Sequence, residues 1–314
     1  MCGQYDKYEV VEYLIDVAGV NIEAVSTTKY TALHYAAQKG YTKLVQILVS
    51  AGANMEAREK KNAAPIHLAC FGGHLDTVKI FIQAKADIDL RGHGGWTPLI
   101  FAIQGGSVEL VKYLIGNGAD LNAVDVHGSI PLHWAAQGGH IKIAQILLDA
   151  GSNMEARDKW NTPPVHRSCY HKHLNMVKFL VDAGMDKEIR GPHNNTPLAS
   201  AAHEGDGPIV KYLISVGANK EALNTDNMTP LMYAAEQGHA HIVRILLKAK
   251  ANIDACDKER CTALIWAADK GNYMVVKALI DAGADREICD TGGKTAFRHA
   301  LDKGHTRIAK LLKA

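Results

Sequence analysis

The sequence predicts an all-α solenoid built from stacked pairs of short helices, and two observations carry this prediction. First, a short phrase, Thr-Pro-Leu-His followed by one variable residue and two alanines, recurs with a constant period of 33 residues and without insertions. Second, each repeat continues with an apolar stretch of helical spacing, as in Val111, Leu114 and Ile115. A fixed period of roughly 20 to 50 residues is typical of solenoids and arrays. Copies of the phrase, many of them degenerate, begin at Thr31, Ala64, Thr97, Ile130, Pro163, Thr196, Thr229, Thr262 and Thr295.

The first part of each repeat is predicted to be a turn followed by a first helix. A Thr at the start of the phrase can accept a hydrogen bond from the exposed amides of the first helical turn, and the Pro after it has no amide that needs a partner. The leucine and the alanines face the stack, where small residues allow helices to approach closely. A left-handed glycine then ends the helix in most repeats: Gly40, Gly73, Gly106, Gly139, Gly205, Gly238, Gly271 and Gly304.

The second helix is predicted to end at a glycine of the same kind, namely Gly52, Gly118, Gly151, Gly184, Gly217 or Gly283. Lys85 and Lys250 replace this glycine, which should cost about 1 kcal/mol at each position if the left-handed conformation persists. One position in the following turn holds Gly or Asn, the residues that tolerate positive φ best: Asn62, Gly95, Gly128, Asn161, Asn194, Asn227 and Gly293. Lys29 and Arg260 are the exceptions at this position.

The domain prediction is a single domain over residues 1–314. Residues 1–25 align with the second half of a repeat and are predicted to form an N-terminal half-repeat cap. Polar residues expected on the outer faces of the two caps are Glu9, Glu12 and Asp16 at one end and Arg307, Lys310 and Lys313 at the other. The predicted repeats are 26–58, 59–91, 92–124, 125–157, 158–190, 191–223, 224–256 and 257–289, followed by the C-terminal capping repeat 290–314.

Repeats five and six depart most from the pattern. Repeat five loses both alanines of the phrase and has Lys172 where a glycine is expected. Repeat six replaces the histidine with Ala199 and opens its second helix with Gly207 and Pro208. Such local departures can mark a functional site, and they can equally be drift. Both interpretations stay open at the level of sequence.

Composition excludes several classes of function. Lys and Arg number 35 against 33 Asp and Glu, which argues against a general nucleic-acid or membrane-surface binder. We find no apolar run of spanning length and no signal peptide, so we expect no membrane association. The six cysteines indicate reduced thiols in the cytosol or the nucleus, with Cys70 and Cys169 at a buried alanine position. A disulfide between two of Cys256, Cys261 and Cys289 is disfavoured but left open.

The period and the phrase resemble those of ankyrin repeats. Repeat four carries most of the family pattern, in Asp125, Gly128, Pro131-Leu132-His133, Ala135-Ala136, Gly138-Gly139-His140 and Gly151. The resemblance covers essentially the whole chain. It implies a helix–turn–helix with a β-hairpin or turn in each repeat, and an elongated, slightly curved stack. It also implies a non-catalytic role, with a partner bound on the concave side formed by turns and first helices.

Most residues of chemical interest fit this repeat pattern. The resemblance implies that the histidines of the phrase, and those after the glycine that ends the first helix, tie backbone groups between repeats. Cys169, His171 and His173 are zinc-ligand types, but Cys169 should face the core, so no metal site is predicted. Gly293-Lys294-Thr295 lacks the rest of a phosphate-binding loop. No catalytic arrangement and no cofactor site stands out.

The aromatic residues are the predicted partner-binding residues, because the turns and first helices that carry them line the partner-binding side of the family. Trp and Tyr are enriched in binding hot spots. Packing between repeats is an equal alternative for Tyr35, Phe101, Trp134, Tyr233 and Trp266. Binding is favoured for Phe71, Trp96, Trp160 and Tyr170, since aromatic rings at their positions are harder to bury.

The sequence therefore predicts a monomeric protein-interaction scaffold or adaptor for a protein or peptide, in the cytosol or alternatively the nucleus. The alternative function is binding of a small anionic ligand or oligonucleotide near the C-terminal turns around Lys294. One modification is also predicted. Leu114 and Asn122 reproduce the spacing that asparaginyl hydroxylase recognises in ankyrin repeats, which makes Asn122 the expected acceptor.

Overall fold

The computed structural model describes residues 7–313, and these form helices joined by turns. A single helix, α1 (Lys7–Asp16), precedes nine helix pairs. The pairs are α2 (Ala32–Lys39) with α3 (Thr42–Ser50), α4 (Pro65–Phe71) with α5 (Leu75–Gln83), α6 (Pro98–Gln104) with α7 (Val108–Gly116), α8 (Pro131–Gly138) with α9 (Ile141–Asp149), α10 (Pro164–Tyr170) with α11 (Leu174–Asp182), α12 (Pro197–Glu204) with α13 (Gly207–Ser215), α14 (Pro230–Glu236) with α15 (Ala240–Lys248), α16 (Ala263–Asp269) with α17 (Tyr273–Asp281), and α18 (Ala296–Asp302) with α19 (Thr306–Lys313). The predicted all-α repeat fold is confirmed.

Two short 3₁₀ turns, His93–Gly95 and Pro192–Asn194, precede α6 and α12. Within residues 7–313 there is no β-strand, and the turns between repeats contribute one isolated bridge, between Cys289 and Thr295. No helix of this range is both long enough and apolar enough to cross a bilayer. The chain divides into two compact units, Met1–Asn153 and Met154–Ala314, which we call the N-terminal unit and the C-terminal unit.

The first helices begin as the sequence predicts. The side chains of Thr31, Thr196, Thr229, Thr262 and Thr295 each accept a hydrogen bond from the backbone N–H three residues later. Thr97 departs from this pattern: its hydroxyl is buried and has no hydrogen-bond partner. The side-chain cap satisfies one of the amide donors that every helix leaves free at its start.

The positions predicted to be left-handed all have positive φ, including those without glycine. Lys85 and Lys250 adopt φ values of 63° and 62°, and Lys29 and Arg260 adopt 62° and 60°. The backbone at these four residues is therefore held in a left-handed conformation, which disfavours a Cβ atom. The strain predicted for Lys85 and Lys250 is present in the fold.

The buried histidines of the phrase hydrogen-bond to the backbone, and His34 and His166 reach the next repeat as predicted, whereas His67 bonds within its own repeat. The Ala64 N–H donates to Nδ1 of His67 over 2.9 Å, and Nε2 of His67 donates to the Leu90 carbonyl over 2.7 Å. Burial lowers the pKa of His67 to about 4, so the ring is neutral at physiological pH. Nε2 of His166 donates instead to the Asn195 carbonyl over 3.0 Å, and its Nδ1 has no partner, because Pro163 has no N–H to donate.

Side chains at fixed positions also link many of the repeats to the next one. Arg58 donates to the Asn62 carbonyl of its own turn and to the Arg91 carbonyl, 33 residues further on. Arg91, Arg157 and Arg190 make the equivalent pairs of bonds. A second series runs through carboxylates, in which Glu23 accepts from the Asn54 N–H over 2.7 Å. We call these two series the inter-repeat ladders.

The remaining predictions for the core and the ends hold with one addition. Cys70 and Cys169 are fully buried, and burial raises the pKa of both thiols. All cysteines of residues 7–313 are free thiols. The polar residues predicted for both outer faces are exposed. However, α1 also exposes the apolar side chains Val10, Tyr13 and Leu14, and Val17 just after it is exposed as well.

Candidate functional site

The turns and first helices of the N-terminal unit form an apolar groove around Phe71. Phe71 is the last residue of α4 and is 56% exposed, because it follows the buried Cys70 and points away from the stack. Tyr30, Leu68, Phe71 and Phe101 contribute the apolar lining of this groove, whose volume is about 470 Å³. Tyr35 lies nearby along α2, with its ring 5.0 Å from that of Tyr30, and it is 48% exposed. This surface therefore carries exposed aromatic rings.

An aromatic cluster supports one end of the groove. The half-buried ring of Trp96 lies 5.4 Å from Phe101 and 4.5 Å from Trp134, in edge-to-face arrangements. The indole nitrogen of Trp134 donates to Asp125 over 3.2 Å. Edge-to-face packing and this hydrogen bond fix the rings in place. The cluster therefore holds its rings against one another at this end of the groove.

The C-terminal unit has a polar pocket at the equivalent place, three repeats further along the chain. Asn195 stands where the N-terminal unit has Trp96, and Ser200 stands where it has Phe101. The small side chains leave a cavity of about 370 Å³. Its lining includes Tyr170, Asn195, Ser200, His203, Glu204 and Tyr233, together with His193 and Asp226. We call this cavity the polar pocket.

Hydrogen bonds organise the polar pocket only in part. The Tyr233 hydroxyl accepts from the side-chain amide of Asn195 over 3.2 Å and from that of Asn224 over 2.8 Å. Nδ1 of His203 lies 2.9 Å from a carboxylate oxygen of Glu204. The amide oxygen of Asn195 and the hydroxyl of Ser200 are buried and have no hydrogen-bond partner. Burial also raises the pKa of Tyr170, so its phenol stays protonated.

The other predicted partner-binding residues have varied surroundings. Trp160 is exposed at the tip of its turn. Trp266 is half-buried, its indole nitrogen donates to Asp257 over 2.9 Å, and Lys270 lies over its ring. Phe101 and Tyr233 expose less than a tenth of their surface, although Phe101 lines the groove and Tyr233 lines the polar pocket. For all nine residues partner binding stays a prediction.

Repeat five, one of the irregular repeats, contains an ion pair in place of an indole bond. A guanidinium nitrogen of Arg167 lies 2.6 Å from Asp158, at the position where Trp134 and Trp266 contact Asp125 and Asp257. Burial alone would raise the pKa of Asp158, but the bonds from Arg167 and from the Thr162 N–H hold it below its ordinary value. Asp158 is therefore a carboxylate at neutral pH.

The basic side chains around Lys294 are already paired with acids. Nζ of Lys294 lies 2.8 Å from Asp302, and Nε of Arg298 lies 3.1 Å from the other oxygen of the same carboxylate. The hydrogen bond from Lys294 lowers the pKa of Asp302. An anion at this turn would have to displace Asp302 from both cations.

Other candidates from the sequence have simple surroundings. Cys169 is fully buried, while the rings of His171 and His173 stack 6.4 Å apart. The described part of the chain holds no group of three or more side chains placed to bind a metal ion. Asn122 is exposed, and its N–H donates to Asp120 over 2.8 Å.

Sequence reasoning missed the residues that open the polar pocket. Repeat six was singled out for Ala199, Gly207 and Pro208, whereas the pocket depends on Asn195, Ser200 and Glu204. A comparison of matched positions three repeats apart could have found them, because two large aromatic residues become small polar ones. Such a replacement at an inward-facing position predicts either a cavity or a compensating side chain.

The repeat architecture agrees with the comparison to known protein families. The family model for ankyrin repeats matches residues 1–92, 66–158, 132–224, 204–290 and 251–314. No curated protein matches the chain. Ankyrin repeats are generally protein-interaction modules and are typically non-catalytic. The chain belongs to the ankyrin-repeat family.

Proposed function

We propose that this protein is a non-catalytic interaction scaffold or adaptor that binds a protein or peptide partner along its turns and first helices. The observation that carries the proposal is the groove around Phe71, where an aromatic ring at the end of α4 is 56% exposed beside a cavity of about 470 Å³. Exposed apolar grooves with aromatic walls are typical of surfaces that bind a partner.

The physical support comes from the energetics of partner binding. Burying an aromatic side chain such as that of Phe71 removes a large apolar area from water. The neighbouring Trp96 cluster is already packed, so it needs little additional ordering when a partner binds. An apolar side chain of the partner is the occupant that this groove fits best.

The proposal includes a monomer that works in the cytosol or the nucleus without a cofactor or a metal. Cys256 and Cys261 lie on one turn and Cys289 lies on the next. Their free thiols agree with a reducing compartment. The alternative function, an anionic ligand near Lys294, gains no support from a turn whose cations are paired with Asp302.

The test is capture of partners from host-cell lysate, read by mass spectrometry, with the wild-type chain and two variants as bait. Phe71→Ala removes the exposed ring from the groove, while Tyr41→Ala removes an aromatic ring of similar exposure, 54%, outside it. We expect a partner that the wild-type protein and Tyr41→Ala retain and Phe71→Ala loses by about tenfold or more, as for a hot-spot residue.

Equal capture by all three baits would contradict a role for the groove in binding. Circular dichroism of each variant provides the folding control. Because both substituted rings are more than half exposed, neither change should unfold the chain.

We also propose that Asn122 is an acceptor for asparaginyl hydroxylation, because its side chain is exposed on a turn. Treatment with the hydroxylase should add one oxygen atom to the wild-type protein and none to Asn122→Ala. Peptide mass spectrometry checks the site. An unchanged intact mass of the treated wild-type protein would dispose of this proposal.

A further inference from the structure

The polar pocket lies where Ser200 occupies a repeat position that carries a large side chain in every other repeat. In the N-terminal unit Trp96 and Phe101 pack against each other with ring centroids 5.4 Å apart. In the C-terminal unit Asn195 and Ser200 take their places, and a cavity of about 370 Å³ remains. The repeat framework therefore tolerates a filled site here, and this repeat leaves it open.

Two buried polar groups in the pocket lack the partners that such groups normally have. Asn195 is 8% exposed, and its amide oxygen has no hydrogen bond. Only one of its two amide heavy atoms is engaged, by Tyr233, so one polar atom remains available in either orientation of the amide. The Ser200 hydroxyl, 1% exposed, also has no partner within hydrogen-bond geometry, although the Tyr170 phenol lies beside it. Unsatisfied buried groups of this kind are rare, and an ordered water or a bound ligand would satisfy them.

The charges around the pocket select a cation. Glu204 and Asp226 both line the cavity, and none of the other lining residues is a lysine or an arginine. Lys258 is the cation paired with Asp226, over a long distance of 4.0 Å, while Glu204 contacts the imidazole of His203. Because the long Lys258 contact neutralises this negative charge only weakly, the two carboxylates favour a positively charged occupant.

The shapes of the lining groups favour a guanidinium over a simple ammonium. A guanidinium is planar and carries five N–H donors, which suits the separate acceptors of Asn195, Ser200 and Glu204. Its flat face can stack on aromatic rings, and Tyr170, His203 and Tyr233 supply rings on the pocket walls. We propose that the polar pocket binds the guanidinium group of an arginine side chain on the partner, an inference that rests on the proposed function for its source.

The experiment is calorimetric titration of the full chain with N-acetyl-arginine N-methylamide. The matched probe is the citrulline analogue, which has the same shape and no charge. We expect binding of the arginine probe only, with loss of roughly fivefold or more in Glu204→Gln, as for removal of a hydrogen bond to a charged group. Glu287→Gln removes the same charge from an exposed turn outside the pocket and should leave the affinity unchanged.

A second variant makes the test independent of charge. Asn195→Trp/Ser200→Phe installs the aromatic pair of the N-terminal unit and should abolish probe binding, provided that circular dichroism shows a folded chain. If this variant does not fold, Glu204→Gln still decides the result, because the Glu204 side chain is partly exposed. Equal binding of the two probes, or unchanged affinity in Glu204→Gln, overturns the inference.

The result also separates this inference from the proposed function. The groove test depends on Phe71 and this test on Glu204, so a captured partner without binding of the arginine probe overturns the pocket alone. Free L-arginine tests the source of the cation. If it binds more than about tenfold more tightly than the blocked probe, a difference of about 1.4 kcal/mol, the assignment to a side chain of a protein partner is wrong.

Discussion

Repeats two to four and repeats five to seven share a backbone and differ in what they place on it. Both sets contain a 3₁₀ turn, at His93–Gly95 and at Pro192–Asn194, and both begin it after a glycine. The first set fills the space above this turn with Trp96 and Phe101, and the second leaves a cavity beside Asn195 and Ser200. The repeat therefore determines the framework, while two side chains decide between a packed surface and an open site.

The shared glycine has a physical reason in both sets. A Cβ atom at Gly92 would lie 3.0 Å from Nε2 of His67, and one at Gly191 would lie 2.6 Å from the ring of His166. The buried histidine of the preceding repeat thus occupies the space that a side chain would need.

The largest effect is expected from Trp96→Asn/Phe101→Ser, which copies the polar pair into the N-terminal unit. The variant removes one buried and one half-buried aromatic ring, and should lower the free energy of unfolding by about 4 kcal/mol or more. Urea denaturation followed by circular dichroism measures the change. Tyr41→Asn, at an exposed position, should change it by less than about 0.5 kcal/mol. A double variant as stable as the wild-type protein would mean that the cluster contributes no packing energy.

Arg167→Leu removes the ion pair of repeat five and copies Leu68, its equivalent in repeat two. Asp158 would then be left without the guanidinium that lies 2.6 Å away, which should destabilise the fold by about 3 kcal/mol at pH 7. Because folding lowers the pKa of Asp158, its contribution is complete above its ordinary pKa of about 4 and is lost as the pH falls through the lowered value.

The difference between wild type and Arg167→Leu should therefore shrink as the pH falls below about 4, the ordinary pKa of an Asp side chain. Denaturation curves at a series of pH values measure it. The same destabilisation at every pH would show that Arg167 acts through packing of its aliphatic chain rather than through its charge.

The smallest predicted change in stability should be equal in the two sets of repeats. Lys85→Gly and Lys250→Gly relieve left-handed residues in repeats two and seven, with φ of 63° and 62°. Each should stabilise the protein by about 0.5–1 kcal/mol, since relief of strain exceeds the entropy cost of glycine. Lys112→Gly, inside α7, should instead destabilise by about 1 kcal/mol. Thermal melting temperatures compare the three variants. Stability changes of opposite sign in Lys85→Gly and Lys250→Gly would show that the two frameworks differ.

The features that repeat every 33 residues could be predicted from the sequence, because each depends on local chemistry. The threonine caps, the left-handed turns and the burial of Cys70 and Cys169 all follow from position within the repeat. The unsatisfied Nδ1 of His166 could also have been predicted, since Pro163 lacks the amide that other repeats supply.

The polar pocket could not be predicted in the same way. It depends on contacts between residues far apart in sequence, such as the bond from Asn195 to Tyr233, 38 residues later. It also depends on the 3₁₀ turn that begins after Gly191, which sets the direction of Asn195. Phe71 is exposed, whereas Phe101, 30 positions later, is buried. This difference likewise reflects packing between neighbouring repeats.

The inter-repeat ladders fix the number of residues in each repeat. Arg58 contacts a carbonyl 33 residues ahead, and Glu23 caps an amide 31 residues ahead. One inserted residue would shift such a partner by about 3.5 Å, beyond the reach of a hydrogen bond. A whole extra repeat would leave every partner in register. The molecule can therefore change its number of repeats far more easily than the length of any one of them, which accounts for a period without insertions.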